Sequence, residues 1–335
     1  MVKISDTILL AFILTGTGFL FALNLVTGPE KIPTGVVLDL LSGGTADNPA
    51  WSFIVESRLN RSYVALASGG ALALAGLILQ GYFRNPLAGP DVLGISSGAS
   101  LGVALVVLGG LSLTTLSGGL ALVLSGIGGA LLMMILLLSV SRFIRSSVTL
   151  LVAGLMFGYF SGAIINVLFQ LADQHETRAY VVWTLGSFEV FNHNEGLLYL
   201  CAILICSMLS LFVSKALNAL VLGNEYASSS GISLGRTKLL VIGITGLLAG
   251  IVTVYCGPVS FIGVAVPQLV RMAMKSRNHL LMIPAAFILG GFLAIASDII
   301  VRLSGGSLPL NTVTAMVGAP VIIWTLIKMN RRAEV

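Results

Sequence analysis

Apolar residues run along this chain in ten long stretches, at about 8–26, 62–80, 93–112, 116–140, 148–170, 196–214, 238–256, 260–275, 280–299 and 312–329, separated by polar turns. Each is close to the ~20 residues that an α-helix needs to cross about 30 Å of hydrocarbon. The pattern therefore predicts an all-α polytopic membrane protein, one transmembrane domain over 1–335 with ten transmembrane helices. Two junctions are unlike ordinary turns. Gln80 to Ala104 and Cys256 to Arg271 both set prolines and glycines between apolar runs. A backbone broken at membrane depth must be buried in protein or line a cavity, because lipid cannot satisfy its amides and carbonyls. The two stretches cross in opposite directions, so spans two to five and seven to ten read as an inverted repeat.

Composition sharpens this picture. The chain is 56% hydrophobic and 9% charged, against about 25% charged in soluble domains, and its mean hydropathy is +1.02. The net charge of +5 reflects topology rather than a nucleic-acid partner. Lys3, Arg84, Arg142, Arg145, Lys215, Arg236, Lys238, Arg271, Lys275, Arg277, Lys328, Arg331 and Arg332 all fall on one side, which predicts both termini in the cytoplasm. Cys201, Cys206 and Cys256 lie inside apolar runs and read as buried thiols. His175 and His193 lack ligand-like neighbours, so no metal site is expected. The chain contains no Gly-Lys dipeptide, and so no phosphate-cradling loop of the Walker type.

The polar segments carry the candidate chemistry. Segment 27–61, extracytoplasmic by this topology, holds an amphipathic piece from Thr34 to Leu41 and ends on Arg58 and Arg61, three apart on one helical face. These two arginines either snorkel at the interface or meet a partner. Segment 171–195 on the same side carries Tyr180, Trp183, Phe188 and Phe191, which suggests a short interfacial helix with an aromatic belt. Ser147 and Thr149 open the fifth span, where hydroxyls cap free amides, and Asn166 and Gln170 lie near its other end, suiting a polar pathway or interhelical hydrogen bonds. The cytoplasmic segment 218–238 is cut by Gly223 and Gly231 into two short helical pieces, from Glu225 and from Ser233, and reads as a docking knob for a soluble partner. Asp298 and Arg302 stand four apart near the outer end of span nine, and Gly318-Ala-Pro320 interrupts span ten.

Three motifs then carry a resemblance. Phe83-Arg-Asn85-Pro86-Leu-Ala-Gly-Pro-Asp-Val-Leu-Gly94-Ile-Ser-Ser-Gly98-Ala99, Gly257-Pro258-Val-Ser-Phe-Ile-Gly-Val-Ala-Val-Pro267 and Leu308-Pro-Leu-Asn-Thr-Val-Thr-Ala-Met-Val-Gly318-Ala-Pro320 resemble the signature segments of the FecCD family. These are permease subunits of type II ABC importers for iron siderophores, haem and vitamin B12. The resemblance implies a homodimer of ten-helix subunits in the bacterial inner membrane, with its pathway on the two-fold axis. It further implies two cytoplasmic ATPase subunits, which bind the ATP and Mg that this chain does not, and an extracytoplasmic substrate-binding protein. By position, Leu222, Gly223, Asn224, Glu225, Ala227, Gly231, Leu234 and Gly235 would belong to the coupling helices. Arg58, Arg61 and Arg302 would dock the binding protein, and Ser147 and Thr149 would form the inner gate. The chain departs from the family pattern at Gln268, where a histidine is usual, and at Asn60, where a proline is usual.

The residues thus lead to a non-catalytic subunit driven by its partners' ATP between outward-open and inward-open states. A rival class, the ion-coupled secondary transporter, also shows inverted repeats and broken helices. It commonly needs ionisable groups at the midplane. Asp91 and Asp298 are the few candidates, and no buried carboxylate pair is evident.

Overall fold

A computed structural model describes residues 4–45, 48–110, 116–144, 146–189, 193–305 and 307–333. All regular structure among them is helical: α1 (Ile4–Val26), α2 (Thr34–Leu41), α3 (Pro49–Phe83), α4 (Ile95–Val107), α5 (Leu116–Val140), α6 (Ser147–Leu171), α7 (Gln174–Thr184), α8 (His193–Leu209), α9 (Ser214–Leu220), α10 (Asn224–Ser229), α11 (Leu234–Cys256), α12 (Ile262–Ala273), α13 (His279–Leu303) and α14 (Leu310–Ala333). Polar residues start these helices by accepting free amides: Asn48 ahead of Pro49, Ser146 on the Thr149 amide, Ser233 and Asn278. Every apolar run among the described residues overlaps a helix. Among the described residues, seven helical stretches are long and apolar enough to cross a membrane, and three further apolar helices, α4, α12 and Leu310–Thr325 of α14, are shorter.

The core is built around α3. Its apolar stretch is 89% buried, against 22% for both α1 and α6. It packs on α13, α11, α12, α8 and α1. Small residues make this possible. A Cβ on Gly69 would overlap the Gly290 carbonyl of α13, and a Cβ on Gly76 would overlap the Gly263 carbonyl of α12, so both pairs cross at backbone distance.

Several sequence expectations need correction. Helix α3 starts at Pro49 rather than near residue 62. Its 35 residues measure about 50 Å at ~1.5 Å per residue, longer than about 30 Å of hydrocarbon, and Arg58 and Arg61 lie within the helix rather than ahead of it. The expected sixth span is one apolar stretch, Glu195–Leu220, but its helix changes type at a 3-10 turn, Ser210–Val213, between α8 and α9. In segment 218–238 only α10 is a separate short helix. The second piece is the first turn of α11, because the Ser233 cap leads straight into an uninterrupted apolar run. Helix α14 continues through Gly318 and Pro320 rather than breaking there. The aromatic residues of 171–195 do not all form a lipid-facing belt: Tyr180 and Phe188 are buried. Helix α7 folds back over α4, and its Tyr180 ring meets Phe169 edge-on at 5.5 Å.

Candidate functional site

One end of α3 gathers the charged residues. Arg61 donates through Nε to Asp298 Oδ1 of α13 at 2.7 Å, and the other carboxylate oxygen accepts from Asn24 Nδ2 of α1 at 3.1 Å. Asn24 in turn receives Arg302 Nη1 on both its backbone carbonyl and Oδ1, each at 2.8 Å. Three helices are thereby pinned around one buried carboxylate, where charge-assisted bonds are strongest. Asp298 therefore pairs with Arg61 on α3, and not with Arg302 on its own helix. Arg58 turns inward: it is 3% exposed and donates to the carbonyls of Leu25, Val26 and Glu30. Beside this knot lies a cavity of about 330 Å³, lined by Glu30, Ser57, Arg58, Arg61, Glu189 and Arg302 among others. Asn24 and Glu189 belong to no motif. The only sequence sign of Asn24 is an amide inside an apolar run.

At the opposite end, α3 closes on Arg84, which caps it in the left-handed conformation with φ 50°. Its guanidinium donates to Asn224 Oδ1, the first residue of α10. Asn85 Oδ1 then accepts the Leu87 amide at 2.9 Å, a local turn that holds Pro86 in place. The Pro86 carbonyl accepts from Gln268 Nε2 at 2.9 Å, and the same amide reaches Gln80 Oε1 at 3.0 Å. Gln80 Oε1 also accepts from Arg271, while Gln80 Nε2 donates to the Val264 carbonyl at 3.1 Å. The two interrupted stretches are thus laced together, and Gln268 takes part as a donor.

The predicted partner-facing residues sit on and around α10. Leu222, Asn224, Glu225 and Gly235 are exposed, Leu234 is half-buried, and Ala227 anchors the short helix by being buried. Gly223 and Gly231 flank α10 with φ of 124° and 81°. Next to it, Lys238 Nζ donates to the Ser141 carbonyl at the end of α5, at 2.8 Å.

Helix α6 leaves one side bare. Thr149, Val152, Met156, Tyr159, Ala163, Asn166 and Gln170 are all exposed and follow at intervals of three and four, so they form one stripe. This brings the predicted gate residue Thr149 into line with both amides. Ser147 is the first residue of α6, and its side chain lies outside the described residues. The cap is Ser146, whose Oγ accepts the Thr149 amide at 3.3 Å.

The second break is stitched differently. Gly257 has φ 74° and sits against the Trp183 carbonyl, where no Cβ fits. The Ser187 amide donates to the Cys256 carbonyl at 2.9 Å, and Asn311 of α14 donates its amide to the Leu185 carbonyl at 3.1 Å while its Oδ1 accepts from Ser260 at 3.3 Å. Pro258, without an amide hydrogen, follows Gly257, and Pro267 lies within α12. Gly94 and Gly98 bring the first break and α4 against the Gly154 carbonyl of α6 and the Gly129 carbonyl of α5. Gly318 lies against Phe261. Tyr180 OH donates to the Ser100 carbonyl of α4 at 3.3 Å, and burial pushes this hydroxyl up to about 12, so it stays a donor.

This architecture can be placed among known proteins, and the deciding observation is a family profile that matches residues 16–328. The chain belongs to the FecCD transport family. This FecCD chain is 35% identical over 312 residues to the vitamin B12 import system permease protein BtuC of Klebsiella pneumoniae, covering 92% of this chain and 90% of that one. To the hemin transport system permease protein HmuU of Yersinia pestis it is 31% identical over 292 residues, covering 86% and 87%. The FecCD fold also superposes with a TM-score of 0.84, at 27% identity over 96% of this chain and 99% of the other, on a structure described as an inward-facing conformation of a metal-chelate type ABC transporter.

Proposed function

We propose that this chain is the transmembrane permease subunit of an ABC importer that carries a metal chelate, such as haem, cobalamin or an iron siderophore, across the bacterial cytoplasmic membrane by alternating access. The observation that carries the reading is the placement of two contrasting surfaces at opposite ends of α3. The arginine-lined cavity lies at its first turns, and the exposed α10 is bonded to its C-cap, Arg84. The haem and vitamin B12 importers among its relatives support the substrate class. In this reading the arginine end is extracytoplasmic and receives the acidic surface of a substrate-binding protein through Arg61 and Arg302. The inward-turned Arg58 shapes the floor of the cavity. Helix α10 meets an ATPase that holds the ATP and Mg. Two copies of the chain pair so that the α6 stripe, with Thr149, Asn166 and Gln170, faces the shared axis, and the remaining apolar faces meet lipid.

The test is reconstitution in proteoliposomes with the ATPase and the binding protein, supplying haem, cyanocobalamin or a ferric siderophore. Uptake of one of the three should require ATP and fall on Arg61→Glu, and Gly231→Trp should lower uptake by jamming the turn after α10. Uptake that persists without ATP and collapses with the proton gradient would instead establish an ion-coupled secondary transporter.

A further inference from the structure

The arginine cavity already contains a carboxylate from its own chain. Glu189 lies on the segment that leaves α7, and its Oε2 stands 3.7 Å from Arg61 Nη1. That is an ion pair without a direct hydrogen bond, since such bonds have donor–acceptor distances of about 2.7–3.2 Å. The two partners are held unequally. Arg61 is fixed by Asp298 through Nε and its side chain is 16% exposed, whereas the Glu189 side chain is 67% exposed. A pair of this kind is weak and readily exchanged.

The backbone behind Glu189 is tied to the second break and to α14. Its amide donates to Ser187 Oγ at 3.0 Å, and the Ser187 amide holds the Cys256 carbonyl at the second break. Two residues earlier, the Leu185 carbonyl accepts the Asn311 amide at the start of α14. A displacement of the Glu189 carboxylate thus acts on a short segment with one bond to the α11–α12 break and another to α14.

We infer that Glu189 is a built-in stand-in for an acidic partner side chain: docking exchanges the incoming carboxylate for Glu189 at Arg61, and the freed 185–189 segment passes the event to the second break and to α14. The inference rests on the docking role given above to the arginine end, and adds to it a displaced internal competitor.

The full chain in lipid nanodiscs, with a hexaglutamate peptide as the acidic probe and hexaglutamine as control, separates the two ideas. Glu189→Gln should tighten hexaglutamate binding about 2- to 5-fold, the range of a weak exposed ion pair. Glu189→Asp should bind with nearly the wild-type affinity, and Arg61→Gln should lose binding. In the wild type, hexaglutamate should speed hydrogen exchange of the 185–189 amides; in Glu189→Gln those amides should exchange fast from the start. If Arg61→Gln abolishes binding while Glu189→Gln changes neither affinity nor exchange, docking stands and the internal competitor is overturned. If hexaglutamate and hexaglutamine bind alike, the docking role itself fails, and the inference with it.

Discussion

The two interrupted stretches look alike in sequence, yet they are anchored to opposite ends of the molecule. The first, at Arg84 to Leu93, is bonded to α10 through Arg84 and Asn224, and to α12 through the Pro86 carbonyl. The second, at Gly257 to Phe261, is bonded to the exit of α7 and to α14 through Cys256, Ser260 and Asn311. They meet where Gly263 lies against the Pro90 ring and Gly89 against the Val264 side chain, while α3 holds α12 beside them through the Gly76–Gly263 crossing and the Gln80 bond to the Val264 carbonyl. One break thus belongs to the α10 surface, the other to the arginine surface, and a glycine contact joins them. The Pro86 carbonyl of the first and the Cys256 carbonyl of the second are satisfied by protein donors, as membrane depth demands.

The largest effect should come from forcing α3 away from α12, the helix that follows the second break. Gly76→Val places atoms where the Gly263 carbonyl now lies, which overpacks a rigid backbone contact and should cost more than about 4 kcal/mol. Monodisperse protein should be lost on fluorescence-detected size exclusion. Wild-type yield with an unchanged melting temperature would mean that this crossing does not hold α12 in place beside the breaks. Next comes the amide lacing. Gln268→Leu leaves the Pro86 carbonyl and part of Gln80 unpaired, at a cost of about 1–2 kcal/mol. A double-mutant cycle with Gln80→Leu in thermal melts should show coupling; strict additivity would remove this bond from the account.

Arg84→Ala probes the first break alone. The bond to Asn224 is solvent-exposed, so stability should change by less than about 0.5 kcal/mol. Uptake by the reconstituted importer should nevertheless fall about fivefold, equivalent to about 1 kcal/mol for one charge-assisted bond, while ATP hydrolysis continues. Equal losses of uptake and hydrolysis would place Arg84 in ATPase assembly rather than in the link to α3.

Hydropathy made most of the helices legible, because apolar runs of span length leave few alternatives. It hid the start of α3, where Ser57, Arg58, Asn60 and Arg61 lower the mean although the helix continues back to Asn48 and Pro49, its cap and first residue. Spacing on one helical face set Arg58 and Arg61 apart as a pair, and the family resemblance added Arg302. Their partners were not legible: Asp298 stands beside Arg302 in sequence but bonds to another helix, and Asn24 is concealed in an apolar run. Gln80 and Gln268 are 188 residues apart. Only the packing of α12 against α3 brings them together.

The smallest expected change concerns strain in the second break. Phe261 begins α12 with φ 70°, a left-handed conformation without the glycine that usually occupies it. The conformation costs about 1–2 kcal/mol for a residue with a Cβ. Phe261→Gly removes that cost and loses the half-buried ring, about 1–1.5 kcal/mol. It also adds about 0.5–1 kcal/mol of backbone entropy to the unfolded chain. These terms nearly cancel, so the melting midpoint should correspond to a change within about 1 kcal/mol. Gly318 supplies the internal control, since a Cβ there would overlap the Phe261 Cβ. Gly318→Ala should destabilise the wild type and be tolerated in the Phe261→Gly background. If Phe261→Gly alone costs more than about 3 kcal/mol, the ring rather than the backbone sets this position, and the second break is held by packing as well as by its bonds to α7 and α14.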